Sequence, residues 1–190
     1  RIPETINKQV GDNINLTAIA NLSSTMKLFL NGTEIQTASG VTTISANPTL
    51  TTPGNQTIRV DAINGATTKS ESFQFFVASA PTVAPLPPGV RDGINYEAGN
   101  TSVVLVLYAP GKNRVSVIGE FPGSNWAEQT NYVMNKTPDG NYWWLRITGL
   151  TPGTEYAFQY LVDGTLKVGD PYAEKILDPF NDSFISPTTY

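Results

Sequence analysis

The fold is decided by a tight turn and the alternating stretch that follows it, Asp139-Gly140-Asn141-Tyr142-Trp143-Trp144-Leu145-Arg146-Ile147. Asp-Gly favours a two-residue hairpin turn. Successive side chains of a strand point to opposite faces, so Trp143, Leu145 and Ile147 share one face. We predict that this set lies in the core of a β-sandwich. Tyr142 and Trp144, on the opposite face, are predicted to point outward.

The same pattern of short strands closed by turn residues recurs along the whole chain. Upstream, a strand runs into Asn31-Gly32, and residues 56–62 alternate cleanly before Asn64-Gly65. Downstream, residues 155–162 run into Asp163-Gly164. Regular spacing of strands and turns favours sandwiches over helical folds. The predicted fold class is all-β, with two tandem immunoglobulin-like β-sandwich domains joined by a Pro-rich linker.

The clearest domain boundary is a run of prolines and small residues, Ala78-Ser79-Ala80-Pro81-Thr82-Val83-Ala84-Pro85-Leu86-Pro87-Pro88-Gly89. Such composition forms a stiff, extended spacer. We predict an immunoglobulin-like sandwich over 1–78, a linker over 79–92, and a second sandwich with a C-terminal connecting segment over 93–190. All three Trp and all eight Tyr follow the prolines, so the first segment lacks the usual rings for stacking on sugars.

Composition excludes several classes of function. The chain has 190 residues, a net charge of −4 and no basic cluster, which argues against nucleic acid as a partner. It has no Cys and no His, which excludes disulfides, a cysteine nucleophile and a Ser-His-Asp triad. No apolar run approaches the ~20 residues of a membrane helix. We predict no cofactor, no metal site and no membrane span.

Location and metal binding rest on weaker signals. A surface rich in Asn, Thr and Ser, with only 15% charged residues, suits an exported protein that is periplasmic, at the cell surface or extracellular. Asp178, Asn181 and Asp182 carry the oxygen ligands that calcium prefers, but no Asp-X-Asp-X-Asp-Gly loop accompanies them.

A series of short motifs in the second segment carries a family resemblance. In order these motifs are Ala109-Pro110, Val115-Ser116-Val117-Ile118-Gly119-Glu120-Phe121, Trp126, Gly140, Trp143, Gly149-Leu150, Pro152-Gly153, Tyr156, Tyr160, Val162-Asp163-Gly164 and Asp170-Pro171. Together they resemble the isoamylase N-terminal or glycogen-binding module, carbohydrate-binding module family forty-eight, over roughly residues 94–180. The resemblance implies that 93–190 is an isoamylase N-terminal-like sandwich.

The segment Asp170-Pro171-Tyr172 to Asp182 adds a second resemblance. It is similar to the passage into the catalytic barrel of exported α-amylase-type enzymes, glycoside hydrolase family thirteen, of gut Bacteroidetes. This resemblance implies an N-terminal accessory region of a parent enzyme that acts on α-glucans. We expect the barrel and its catalytic carboxylates to lie outside this chain.

The family resemblance also points to a sugar-binding position. Members that bind glycogen keep a Trp after the Gly-acid-Phe turn, a basic residue before Val-Asp-Gly and a second Trp beyond it. Here Trp126 occupies the first position, Gln159 the second and Leu166 the third. We therefore name Trp126 and Gln159 as candidate glycan-binding residues. The alternative is that Trp126 packs on the sandwich or against a neighbouring domain.

The outward aromatic pair has two interpretations. Tyr142 and Trp144 form either a second sugar platform or a docking surface for the catalytic barrel of the same polypeptide. Docking is the favoured interpretation, since it explains exposed rings without any ligand.

The acidic residues do not indicate catalysis. A glycosidase needs two carboxylates at a defined separation. The available acids are Glu120, Asp139, Asp163, Asp170 and Asp178. Four of them precede Gly or Pro and have a turn-forming explanation. We predict no catalytic residue and no enzyme activity in this chain.

The leading hypothesis is a non-catalytic accessory region of an exported α-glucan-degrading glycoside hydrolase. It packs against the barrel and holds starch, glycogen or maltooligosaccharide weakly. One alternative is a purely structural interdomain module without glycan binding. Another is a surface glycan-binding protein with no enzyme attached.

Overall fold

The computed structural model describes residues 6–177. It divides into two compact units, residues 1–80 and 81–190, which we call the first and second units. Apart from one 3-10 turn, Thr130–Tyr132, every regular element among the described residues is a β-strand. The all-β sandwich class is confirmed, whereas the tandem arrangement, its linker and the domain boundaries stay predictions.

The first unit is a five-stranded sheet with the order β1-β5-β4-β2-β3. Its strands are β1 Lys8–Gln9, β2 Leu16–Leu30, β3 Thr33–Ala46, β4 Gly54–Asn64 and β5 Thr67–Ala78. β1 pairs with β5 in parallel, and the other pairs are antiparallel.

A two-residue hairpin joins β2 to β3 as the sequence predicts. Asn31 and Gly32 have φ values of 52° and 82°, and Leu30 pairs with Thr33 across the turn. Left-handed φ values at both central positions match the twist of a hairpin, and Asn-Gly tolerates them best. Further along, the pairing slips between Ile19 and Met26. Irregularities of this kind bend strands.

Alternation along the strands of the first unit sorts the side chains as predicted. Leu16 and Leu28 are buried while Ile19 is exposed. The core consists of nine buried side chains: Ile14, Leu16, Met26, Leu28, Ile44, Leu50, Ile58, Phe75 and Val77. It is an aliphatic core with a single buried ring.

The second unit is a sandwich of two antiparallel sheets. A four-stranded sheet has the order β6-β7-β10-β9, and a three-stranded sheet has the order β12-β11-β8. The strands are β6 Gly93–Tyr96, β7 Ser102–Tyr108, β8 Val115–Gly119, β9 Asn135–Lys136, β10 Tyr142–Thr148, β11 Phe158–Val162 and β12 Leu166–Val168.

The core of the second unit lies between these sheets and is built around Trp143. Trp143 is 0% exposed and packs with side chains of β7, β8, β10 and β11. Its indole N–H donates to the Ala109 carbonyl at 3.0 Å, which satisfies the one polar atom of the ring. The prediction that Trp143, Leu145 and Ile147 face inward is confirmed.

Part of the proline-rich segment belongs to the edge of the four-stranded sheet. The Lys136 amide donates to the Thr82 carbonyl at 2.8 Å, and the Ala84 amide donates to the Lys136 carbonyl at 2.9 Å. Val83 thereby forms a parallel bridge to β9. Residues 82–84, which the sequence assigns to the linker, are held at the edge of the second unit by an isolated parallel bridge.

Candidate functional site

Trp126 lies in the loop 120–129, which folds back on the strand it leaves. The Gly119 amide donates to the Ser124 hydroxyl at 3.2 Å, and the Trp126 amide donates to the Gly119 carbonyl at 3.1 Å. Ser124 is fully buried beneath the loop. We call this segment the Trp126 loop. These bonds fix the backbone of Trp126 against the end of β8.

The backbone conformation of Trp126 is unusual for its size. Asn125 has a φ of 45° and Trp126 a φ of 61°. Asn tolerates the left-handed region, but a bulky side chain there is rare. Such strain costs about 1–3 kcal/mol and persists where the surroundings impose it. Trp126 is half-buried, so part of the residue is accessible to solvent.

The Trp126 loop approaches the strand that carries Gln159 because Gly119 has no side chain. A Cβ at Gly119 would lie 2.3 Å from the Ala157 carbonyl oxygen. Gly119 pairs with Phe158, and the next pair along the ladder is Ile118 with Gln159. The structure therefore brings Trp126 and Gln159 to the same end of the three-stranded sheet.

Gln159 faces away from the core with an unpaired oxygen. Its neighbours Phe158 and Tyr160 pack in the core, so alternation puts Gln159 on the outer face. Its Oε1 atom is buried and accepts no hydrogen bond from the described residues. A buried acceptor without a partner is costly, about 1–3 kcal/mol.

Lys167 is a residue that the sequence interpretation missed. It pairs with Leu161, two positions from Gln159, and so lies on the same outer face. The turn at Asp163-Gly164 could have revealed this, since a hairpin in which 162 pairs with 166 must pair 161 with 167. Leu166 is 57% exposed and lies opposite Val162, on the other face.

A buried ion pair anchors the far end of the Trp126 loop. Arg114 Nε donates to Glu128 Oε1 at 2.9 Å, and the Ser116 hydroxyl donates to the same oxygen at 2.6 Å. The two charged side chains are only 8% and 10% exposed. Because removing one partner would leave a buried charge, the pair holds the loop to β8 strongly.

Tyr142 and Trp144 lie on the outer face of the other sheet, away from Trp126. The Trp144 indole N–H donates to the Ala84 carbonyl at 3.1 Å, and its ring is half-buried. Tyr142 contacts Tyr108 edge to face, with 5.1 Å between ring centroids. The four candidate residues therefore divide between two opposite faces of the sandwich.

Tyr172 joins this second face from outside the strands. Its hydroxyl donates to Asp92 Oδ2 at 3.1 Å. That hydrogen bond and the charge of Asp92 raise the pKa of Tyr172, with a smaller contribution from Tyr142. No local sequence pattern predicts this contact, since residues 92 and 172 come together only through the tertiary fold.

The described acids among those weighed for catalysis have structural partners. Glu120 accepts from the Ala157 amide, and Asp163 accepts from the amides of residues 113 and 114. Asp139 accepts bonds from Thr137 and Asn141, and the Thr137 bond is the largest effect that lowers the pKa of this carboxyl. These are the contacts of turns and strand ends.

Metal and membrane criteria give no site over the described residues. Between residues 6 and 177, no three acidic side chains cluster in a way that could hold a metal ion. Asp178, Asn181 and Asp182 lie outside the described residues. In the same range, no helix is long and apolar enough to span a membrane.

Comparison with known families confirms the resemblance drawn from the motifs. Residues 93–180 match the model of carbohydrate-binding module 48, the isoamylase N-terminal domain. The matched range contains Trp126, Gln159, Tyr142 and Trp144. No curated protein matches the sequence.

Solved structures give only distant similarities. The pullulanase SAP of Group B Streptococcus in complex with maltotetraose is 13% identical over 97% of this chain and 25% of that chain, with a TM-score of 0.37. Pullulanase type I from Bacillus subtilis, complexed with maltose, is 16% identical over 90% and 24%, with a TM-score of 0.34. A chimeric titin Z1Z2 tandem is 14% identical over 85% and 89%, also with a TM-score of 0.34. These scores are too low to establish a shared fold or function. The chain spans about a quarter of the length of the two pullulanases.

Proposed function

We propose, because residues 93–180 match carbohydrate-binding module 48, that this chain is a non-catalytic accessory region of an exported α-glucan-degrading glycoside hydrolase. In this proposal the second unit packs against the catalytic barrel of the same polypeptide and binds starch-like glucan weakly. The first unit acts as a spacer.

The observation that carries the glycan part of the proposal is the strained display of Trp126. A Trp at a φ of 61° is retained at an energetic cost, and strain of this kind collects at binding and catalytic sites. Sugars present flat, weakly apolar faces that pack on aromatic rings. The turn in the Trp126 loop fixes the backbone that carries one such ring before a ligand arrives, which reduces the entropy cost of binding.

Two polar groups beside the loop fit the hydroxyls of a sugar. Gln159 Oε1 lacks a donor among the described residues, and a glycan hydroxyl would satisfy it after rotation of the amide. Lys167, on the same face, supplies an ammonium group that donates hydrogen bonds. Lys167 therefore offers in part the positive charge that Gln159 lacks.

The residue at the third motif position supports weak binding. Leu166 stands where the family resemblance implies a second Trp, and it lies opposite Val162 on the other face of β12. One ring then contributes to stacking instead of two. Loss of one aromatic contact of about 0.5–1.5 kcal/mol weakens binding several-fold.

Affinity electrophoresis of the whole chain in gels containing starch or glycogen tests this function. We expect retardation relative to a plain gel, and loss of most of it in Trp126→Ala. Gln159→Ala and Lys167→Ala should each give a smaller loss. Tyr96→Ala is the matched control, because Tyr96 is exposed but distant in sequence and sheet position. Absence of retardation, or retardation unchanged by Trp126→Ala, contradicts the proposal.

The second candidate function is a purely structural interdomain module. The half-buried Trp144, whose indole is already bonded to Ala84, favours this reading for the opposite face. This candidate predicts no retardation at all, with full burial of Tyr142 and Trp144 once the remaining polypeptide is present. A surface glycan-binding protein without an enzyme predicts the same retardation as the first proposal. The coding sequence downstream of residue 190 separates those two.

A further inference from the structure

Three tyrosines lie on the face of the second unit that is opposite to the Trp126 loop. Tyr108 and Tyr142 are directly paired across β7 and β10, on the side away from the core. Their ring centroids are 5.1 Å apart and their planes are inclined at 60°. Tyr108 is 54% exposed. With Tyr172, these residues form what we call the tyrosine face.

Tyr172 reaches this face because Gly93 leaves room for it. Gly93 pairs with Val106, which in turn pairs with Trp144, so its missing side chain would point outward. A Cβ on Gly93 would lie 2.5 Å from Tyr172 Cβ, and the φ of Gly93 is 85°. Glycine is therefore required at this position for two reasons, the left-handed φ and the close approach of Tyr172.

A buried carboxylate fixes Tyr172 in place. Asp170 is 6% exposed and accepts hydrogen bonds from the Tyr160 hydroxyl at 3.0 Å and from the Tyr172 amide at 2.8 Å. At the other end of the side chain, the Tyr172 hydroxyl is bonded to Asp92. The ring is thus held at its backbone and at its tip, yet 52% of the residue is exposed.

The exposed side chains of this face are aromatic and polar rather than aliphatic. The other outward side chains of β7, Val104 and Val106, are each 1% exposed. Solvent contacts the tyrosine rings and the Asp92 carboxylate that accepts the hydrogen bond of the Tyr172 hydroxyl. Rings that stack on sugar faces, beside groups that bond hydroxyls, are the components of a carbohydrate site. Rings inclined to one another suit a curved chain better than a flat one.

We propose that the tyrosine face is a second carbohydrate-contact site, whose ligand is a curved α-linked glucan. The inference rests on the proposed function for its ligand class, but it uses different residues on a different sheet. Its affinity on its own is low, since few polar groups surround the rings. Two weak sites on opposite faces of one module can still retain a polysaccharide through multivalency.

Backbone amide chemical shifts of the whole chain, titrated with maltoheptaose, test this site. We expect shifts at residues 108, 142 and 172 that persist in Trp126→Ala. Tyr172→Ala should weaken the apparent affinity at residues 108 and 142 about fivefold, the scale of one aromatic contact. Tyr172→Phe, which keeps the ring, should retain most of it. Cellohexaose should give smaller shifts than maltoheptaose.

The control is Ile19→Ala, because Ile19 is 78% exposed and belongs to the first unit, which contributes no residue to the tyrosine face. This variant should leave the shifts at residues 108 and 142 unchanged. Absence of shifts on the tyrosine face at saturating maltoheptaose overturns the inference, as does indifference to Tyr172→Ala. Failure of the Trp126 site is a separate result, since it removes shifts at residues 126 and 159 while those on the tyrosine face remain.

Discussion

The first and second units are both β-structures of similar size, but they differ in the number and exposure of their aromatic residues. The first unit has an aliphatic core with Phe75, and its exposed large apolar side chains are Val10, Ile19 and Leu22. The second unit buries Trp143 and Tyr160, and it exposes Tyr96, Tyr108 and Tyr172 in addition to the aliphatic Val83, Leu166 and Ile176. Exposed aliphatic side chains offer neither a stacking plane nor a hydrogen bond to a sugar. The contrast agrees with the proposal that the second unit binds glycan and that the first unit acts as a spacer.

The largest expected effect is on stability and tests whether the cores of the two units unfold separately. Trp143→Ala should lower the unfolding free energy of the second unit by about 3–5 kcal/mol, because a fully buried ring leaves a cavity. Urea unfolding followed by Trp fluorescence reports this unit alone, since the first 80 residues contain no Trp. Leu28→Ala is the matched change in the first unit. It should alter the far-ultraviolet circular dichroism transition but leave the fluorescence transition in place. A single transition shifted by both variants would break the comparison.

A smaller effect concerns Tyr160 and alkaline pH. Burial, followed by the charge and hydrogen bond of Asp170, raises the pKa of Tyr160 above its ordinary value. A folded-state pKa above the unfolded value of about 10 means that the stabilisation is complete below that pH and is lost as pH rises above it. Tyr96 and Tyr132 have raised pKa values as well, and all three lie in the second unit. Alkaline pH should therefore destabilise the second unit and spare the first.

Tyr160→Phe isolates this residue. At neutral pH the variant should lose about 1.5–3 kcal/mol, because the Asp170 carboxylate loses a donor in a buried position. Above about pH 10 the difference from wild type should shrink, since the wild-type tyrosine is then ionised on unfolding. Fluorescence-monitored unfolding at several pH values measures the difference in unfolding free energy between variant and wild type at neutral and at alkaline pH. A difference that grows with pH would contradict the assignment.

The smallest expected change in stability belongs to Trp126. Trp126→Gly should alter the unfolding free energy by less than about 1 kcal/mol, because relief of the left-handed strain offsets the contacts that are lost. Most of the glycan retardation should nevertheless be lost. Comparison with Trp143→Ala then distinguishes a ring that is exposed for ligand binding from a ring that is packed in the core. A loss of several kcal/mol in Trp126→Gly would identify Trp126 as a core residue.

The sequence predicts the strands of this protein better than its surfaces. Alternation placed Trp143 and Leu145 inside correctly, and Asn31-Gly32 gave the first hairpin, because both signals depend on neighbouring residues. The position of Lys167 on the outer face could also have been predicted from the register of its hairpin. The left-handed turn at Trp126 and the packing of Tyr172 over Gly93 could not have been predicted from the sequence. Each depends on segments that are distant in sequence, and no local pattern encodes their contact.

The central claim is that the second unit binds α-glucan through Trp126. The protein has three indole N–H groups, and those of Trp143 and Trp144 are bonded to the carbonyls of Ala109 and Ala84. A titration of the whole chain with maltoheptaose, followed by the three indole proton–nitrogen resonances, tests the claim directly. The account predicts a saturable shift of the Trp126 resonance, assigned by its loss in Trp126→Ala, while the Trp143 resonance stays fixed. A Trp126 resonance that does not move at millimolar maltoheptaose would contradict it.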